Sequence, residues 1–318
     1  MLSRTADHLY WMSRYIERAA NTARLLNVTY DTSMLPQAAR KAQKDWQGVL
    51  SISELVPAYL EMHDEITRDE VLHFMVREER NNASIFCCLR AARENARAVR
   101  GALTTEVWET HNQTWLDLGR QLDGGAFERD PARFFEWVKD RSHLARGVTQ
   151  STMLQDDAYH FLRLGTALER ADNTARLLDV KFHAIEHDYH GSERGAGAAH
   201  FDYYHWSTLL HSVSAFEVYR KVYRDVITPE RVAELLMLRP DMPRSLLASM
   251  QEVVANLTLV ANEQSGETQR KAGRLLVDLR YARIEEILAT GLHAYLTQFL
   301  ERVNALGADI SRDFLVPN

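Results

Sequence analysis

A chain of 318 residues with 46% hydrophobic and 26% charged side chains has the balance of a folded domain and enough length to bury a large core. Its net charge of −6, mixed in sign, excludes the strongly basic signature of a nucleic-acid binder. Glycine (14) and proline (7) are scarce, and long stretches lack both, which favours helix over sheet. The opening "MLSRTADHLYWMSRYIERAA" has no apolar core of signal-peptide type, and no apolar run approaches the roughly 20 residues of a spanning helix. A cytoplasmic protein without membrane contact is the expectation.

A first helix is predicted from about Thr5 to about Tyr30, with His8, Trp11, Met12, Tyr15, Ile16, Ala19, Ala23 and Leu26 on one broad apolar face. Glu17, Asn21 and Arg24 form a narrow polar stripe on the other side, bordered by Tyr10, Leu25 and Val28. A helix apolar around most of its circumference is buried on more than one side. A basic, polar connection from Pro36 to Lys44 precedes a helix through "DWQGVLSISELVPAYLEMH", in which Pro57 should introduce a kink. A short helix near Arg68–Met75 follows. The stretch "NNASIFCCLRAARENARAVRGALT" reads as a long helix opened by Asn81 or Asn82. Its adjacent Cys87 and Cys88 point to different faces and read as small buried side chains rather than a disulfide. Gly124 and Gly125 should end the helix "TTEVWETHNQTWLDLGRQL", and Asp130-Pro131 should open the next.

The pattern then repeats. Residues 17–28 read ERAANTARLLNV and residues 169–180 read ERADNTARLLDV, differing only at Ala20/Asp172 and Asn27/Asp179. At the same offset His160 matches His8. Further on, Trp206 pairs with Trp46, Leu210 with Leu50, Tyr219 with Tyr59, Ser245 with Ser84 and Asn256 with Asn95. The expected fold is therefore all-α: a helical bundle of two tandem, pseudo-two-fold related repeats, 1–150 and 151–318, packed as one globular unit. Residues 190–200, with Gly191, Gly195 and Gly197, are the best candidate for a mobile loop. No strand, hairpin, phosphate loop or nucleophile elbow is evident.

Candidate chemistry centres on two sets of residues. The first is the twin stripes Glu17, Asn21, Arg24 and Glu169, Asn173, Arg176, with Arg18 and Arg170 beside the glutamates; residues at i, i+4 and i+7 share a helix face. Two copies that drifted almost everywhere else kept these polar positions, which exposed ion pairs are too weak to explain. A buried network across the pseudo-two-fold, or the wall of a pocket, fits better. The second is the basic face Arg93, Arg97 and Arg100, with Asn95 on another side of that helix; the second copy keeps Asn256 but no arginines. Arginine forks suit carboxylate or phosphate. A third feature, His183–His187 with His190, formally matches a zinc pattern but has no counterpart in the first copy and reads as a histidine cluster, so no metal or cofactor is expected. Trp108 and Phe314 read as core anchors.

The chain resembles the bacterial alpha-E family, an all-helical domain named for its Glu-Arg motif. The resemblance covers essentially the full length and rests on "MLSRTADHLYWMSRYIERAANTARLL", "NNASIFCCLRAARENARAVRG", "VWETHN" and "LERADNTARLLD". The family usually has an acid directly after Glu-Arg-Ala; Asp172 fits and Ala20 departs. The family's "N-P-S-S-I"-like element here reads "NNASI". The resemblance implies the company of a circularly permuted ATP-grasp protein and a transglutaminase-like peptidase, hence a place in ATP-dependent amide ligation or peptide modification. Glu17, Arg18, Glu169 and Arg170 match its naming motif, and no catalytic residue is implied. The leading expectation is a non-catalytic partner or substrate-binding subunit of the ligase, holding a peptide or amino-acid ligand. The alternatives are an enzyme with a buried Glu/Arg site, acting as hydrolase or transferase, and a purely structural homo-oligomer.

Overall fold

The computed structural model describes the backbone of residues 1–35, 39–189 and 198–315, and the side chains of all of these except 39–42, 183–189 and 198–202. Its elements run α1 (Ser3–Ser33), α2 (Ala39–Ile52), α3 (Val56–Leu60), α4 (Arg68–Val76), α5 (Ile85–Ala98), α6 (Thr105–Asp123), α7 (Ala126–Arg129), α8 (Pro131–Thr152), α9 (Asp157–Tyr189), α10 (Ala198–Ser212), α11 (Phe216–Tyr223), α12 (Pro229–Leu238), α13 (Leu246–Leu259), α14 (Gly266–Tyr281), α15 (Ile284–Thr290) and α16 (Leu292–Ile310). Among the described residues there is no strand. The fold is all-α.

The two long motif helices are the axis of the molecule. α1 packs on α9, and each has its own flanking helices: α5, α8 and α10 on α1, and α13, α16 and α2 on α9. This is why α1 is apolar on most sides. Leu9, Met12, Ala23 and Leu26 are fully buried, and so are Leu25 and Tyr10 beside the polar stripe. A single apolar cluster runs from Ala6 to Leu315 and includes Trp46, Trp206, Tyr59 and Tyr219. Each large aromatic buried in this way contributes on the order of 2–3 kcal/mol.

Local chemistry sets the element ends. The side chains of Thr67, Ser84, Thr104, Asp130, Thr228 and Ser245 each accept a backbone N–H in the first turn of the helix they precede, worth about 1 kcal/mol apiece. α5 is thus opened by Ser84, not by Asn81 or Asn82. Asn81 instead folds back, donating to the Phe74 carbonyl and accepting from the Ala83 N–H. Pro57 does not kink a continuous helix either. α2 ends at Ile52, Glu54 takes a left-handed φ of 57°, and Pro57 sits in the first turn of the separate α3, where its missing N–H costs nothing. α10 and α11 break in the same way, with Ser214 at φ 55°. After each break a buried tyrosine donates its hydroxyl to a loop carbonyl, Tyr59 to Glu65 and Tyr219 to Val226, both at 2.9 Å. Gly124 ends α6 and Gly125 takes φ 65°. The basic connection is shorter than expected, because α2 already begins at Ala39. Cys87 and Cys88 are free and buried. Phe314 is buried and Trp108 partly so.

Residues 190–197, the larger part of the glycine-rich stretch, lie outside the described residues, as do the side chains of His183, His187 and His200. His205 bonds the Lys181 carbonyl and His211 stacks on Phe216. Among the described residues no group of three or more His, Cys, Asp or Glu is placed to hold a metal, and no helix is long and apolar enough to cross a membrane.

Candidate functional site

α1 and α9 approach so closely that a Cβ on Gly165 would lie 2.4 Å from the Tyr10 carbonyl oxygen and 2.3 Å from the Ser13 hydroxyl. Only glycine permits this contact. It brings the two motifs within reach of each other, and the glutamate of each meets the arginine of the other. Arg170 donates Nε and Nη2 to the Glu17 carboxylate at 3.2 and 3.4 Å. Arg18 donates Nε and Nη2 to the Glu169 carboxylate at 2.6 and 3.0 Å. The Glu-Arg dipeptide is therefore a pair of reciprocal crossed ion pairs. Adjacent residues on a helix point about 100° apart, so one can face the partner helix while the other reaches round it.

The two centres are not equal. Glu17 is 1% exposed and also receives Arg146 Nη1 at 2.5 Å and Arg244 Nη1 at 2.7 Å, with Arg24 Nη2 at 3.5 Å. Burial pushes its carboxyl up, but Arg244, Arg170, Arg146 and Arg24 together outweigh that and hold it well below the ordinary carboxylate value. Burial and the like charge of Arg244 push the Arg24 guanidinium well down. Asn21 accepts from both Arg24 and Arg244 through Oδ1, which fixes its amide orientation and leaves Nδ2 buried without a partner. Glu169 has two arginines, Arg18 and Arg14, the latter at 2.8 Å through Nε and also bonded to the Tyr10 hydroxyl. Burial again raises its carboxyl and these two arginines bring it below the ordinary value.

The first stripe thus acts as one unit, as its spacing predicted. The second does not. Arg176 turns from Glu169 to Asp172, four residues earlier, and to Glu54. Asn173 borders a polar cleft of about 190 Å³ with Arg18, Asn21, Glu169, Asp172 and Arg176. The basic face is separate from both motifs. Arg93 and Arg97 pair with Glu94, and Arg93 and Arg100 lie over the Trp108 ring. Arg100 stands beyond the end of α5 in a short 3-10 turn. Asn95 accepts at Oδ1 from His8 Nδ1 at 2.7 Å, as Asn256 does from His160 Nδ1 at 2.9 Å, tying α5 to α1 and α13 to α9.

Sequence reasoning missed Arg14, Arg146 and Arg244. Arg14 lies one turn before Arg18 and is legible in hindsight, though Thr166 replaces it in the second copy. Arg146 and Arg244 come from α8 and from the turn before α13, and no spacing ties them to Glu17. Also unforeseen was His111, buried and, like Glu17, on the wall of a second cleft. Burial, then Arg141, lowers its imidazole to about 4. A group with a depressed folded-state value stabilises fully above its unfolded value of about 6.5 and loses that contribution as pH falls towards 4, about 3 kcal/mol in all. Urea unfolding between pH 7 and pH 4 should show the parent losing about 3 kcal/mol more than His111→Phe. Equal losses would place the imidazole in solvent contact.

These features define an all-helical protein whose core is closed by two crossed Glu-Arg helices. The chain belongs to the Alpha-E family, described as a predicted alpha-helical domain with a conserved ER motif, whose model matches residues 1–315. It is similar to uncharacterized proteins of Mycobacterium bovis (24% identity) and of two Mycobacterium tuberculosis strains (24% and 23%), each over 97% of this chain and 36% of the relative. The chain therefore spans about a third of the length of these curated relatives. No solved structure matches it.

Proposed function

We propose that the chain is a non-catalytic, substrate-holding helical partner of an ATP-grasp amide ligase in a peptide-modification system. The observation that carries this reading is the convergence of four guanidinium groups on one buried carboxylate beside an open cleft. Such an arrangement binds and orients negative charge, as a subunit holding a carboxylate for ATP-dependent activation must. The glutamates hold the arginines in place, and ligand recognition falls to the arginines. The coverage of the relatives supports a module that works joined to more protein, since about two thirds of their length lies beyond the match. A transglutaminase-like peptidase is a second partner on this reading, and the compartment is the cytoplasm.

The architecture beneath this function is a tandem duplication, 1–150 and 151–318, about an approximate two-fold axis near the Ser13–Gly165 contact. The shared helix breaks, tyrosine locks and His–Asn ties support it. Co-expression with a circularly permuted ATP-grasp protein from the same genome, followed by ATP turnover with and without this chain, tests the function. A complex whose turnover depends on the chain is the expected result. Absence of both complex and effect would overturn it.

A further inference from the structure

The charge around Glu17 does not balance. Arg24, Arg146, Arg170 and Arg244 share that one carboxylate, whereas Arg176, the equivalent of Arg24, has Asp172 and Glu54 to itself. One of the two positions at which the motifs differ accounts for part of this. Ala20 stands where the second motif has Asp172, so Arg24 has no acid one turn back and turns to Asn21 and Glu17 instead. Uncompensated charge in a protein interior costs several kcal/mol per ion, so an arrangement like this favours a bound anion.

Part of the surplus, Arg146, is open to solvent. Glu17 and Arg146 form part of the wall of a cleft of about 50 Å³ bounded by α1, α6, α8 and α9 and open on one side. It has room for roughly three to five waters. Arg146 gives Nη1 to Glu17 and makes no other hydrogen bond among the described residues, so its Nε and Nη2 are available. Arg163, from α9, stands on the same cleft with Nη2 on Glu252. The remaining wall is largely apolar, with Met12, Ile16, Ala145 and Leu162. Apolar walls strengthen a charge pair by excluding water.

We propose that this cleft binds a small carboxylate carrying an apolar group, the carboxylate between Arg146 and Arg163 and the apolar group against Met12, Ile16 and Leu162. The size of the cleft admits the end of such a molecule, as in the C-terminal residue of a peptide, and its open side lets the remainder out. This deepens the ligase-partner reading by naming what the subunit holds.

The test uses the isolated full chain, so it can fail while a ligase complex persists. Calorimetric titration with N-acetyl-L-leucine is expected to show one site. N-acetyl-L-leucinamide, of the same shape without the charge, should bind at least tenfold more weakly, and so should inorganic phosphate, which lacks the apolar group. Arg163→Gln, whose partner Glu252 is exposed enough to remain solvated, should lose at least tenfold in affinity with an unchanged melting temperature. Thr149→Trp, which fills the cleft, should abolish binding. No binding of the carboxylate, equal binding of the amide or of phosphate, or indifference to both substitutions would overturn the proposal.

Discussion

Glu17→Gln should destabilise the protein by roughly 3–5 kcal/mol, the range for removing one partner of a buried ionic cluster. The substitution keeps the shape of the side chain and removes only the charge. What remains is four guanidinium groups around a neutral amide, with Arg24 and Arg244 almost wholly out of water. Two of the four could still be bonded by the amide oxygen, but the mutual repulsion of the arginines would be unopposed. Glu169→Gln should cost less, roughly 1–3 kcal/mol. Its partners Arg14 and Arg18 keep 15% and 28% of their side-chain exposure, and Arg14 lies over the Trp11 ring as well. Urea unfolding of both variants at pH 7 measures the difference. Equal costs would mean that the surplus of arginines around Glu17 is already neutralised by solvent. The pH dependence has the same origin. Glu17 is held below its unfolded value, so its contribution is present above about pH 4.5 and is lost as pH falls through the depressed value. Phosphate in the buffer should stabilise Glu17→Gln more than the parent, because an added anion replaces part of the missing charge.

The Glu-Arg motif was legible as important in the sequence because it occurs twice, and the helices on which it lies were legible from period and caps. What the two residues do was not. A spacing argument works along one helix, and so it grouped Glu17 with Asn21 and Arg24, correctly, and Glu169 with Asn173 and Arg176, only in part. The decisive pairings run between helices, Glu17 to Arg170 and Arg18 to Glu169, and depend on a crossing point that periodicity does not encode. Arg146 and Arg244 arrive from elements far along the chain. The basic face of Arg93, Arg97 and Arg100 was conspicuous in one dimension, yet Glu94 and Trp108, its own near neighbours, occupy it in three. The break in the helix expected to run past Ile52 has a related cause. Pro57 signals a kink along one helix but here begins a new one, and the left-handed residues that make this break and the one after Ser212, Glu54 and Ser214, are not types that announce such a conformation.

The crossing point itself gives the other large effect. Gly165 follows Ser13 at the same offset that separates Glu169 from Glu17, so the two motif helices touch at equivalent positions. Gly165→Ala would put a methyl 2.3 Å from the Ser13 hydroxyl and 2.4 Å from the Tyr10 carbonyl oxygen. The hydroxyl can rotate at the expense of its bond to that same carbonyl. The carbonyl cannot move, because it is part of α1, so the helices must separate by about 1 Å to reach ordinary contact. Overpacking of this kind costs roughly 1–3 kcal/mol by itself. Here the separation also lengthens the crossed pairs. The expected loss for Gly165→Ala is therefore at the upper end, about 3 kcal/mol, and Gly165→Val, with two further methyls, should not fold. Adding Ser13→Gly removes the closer of the two contacts and leaves the carbonyl, so the double variant should recover part of the loss. Thermal and urea unfolding of the three proteins decide the matter. An alanine variant as stable as its parent would show that α1 and α9 do not meet at this glycine, and the reciprocal pairing of the two motifs would lose its geometric basis.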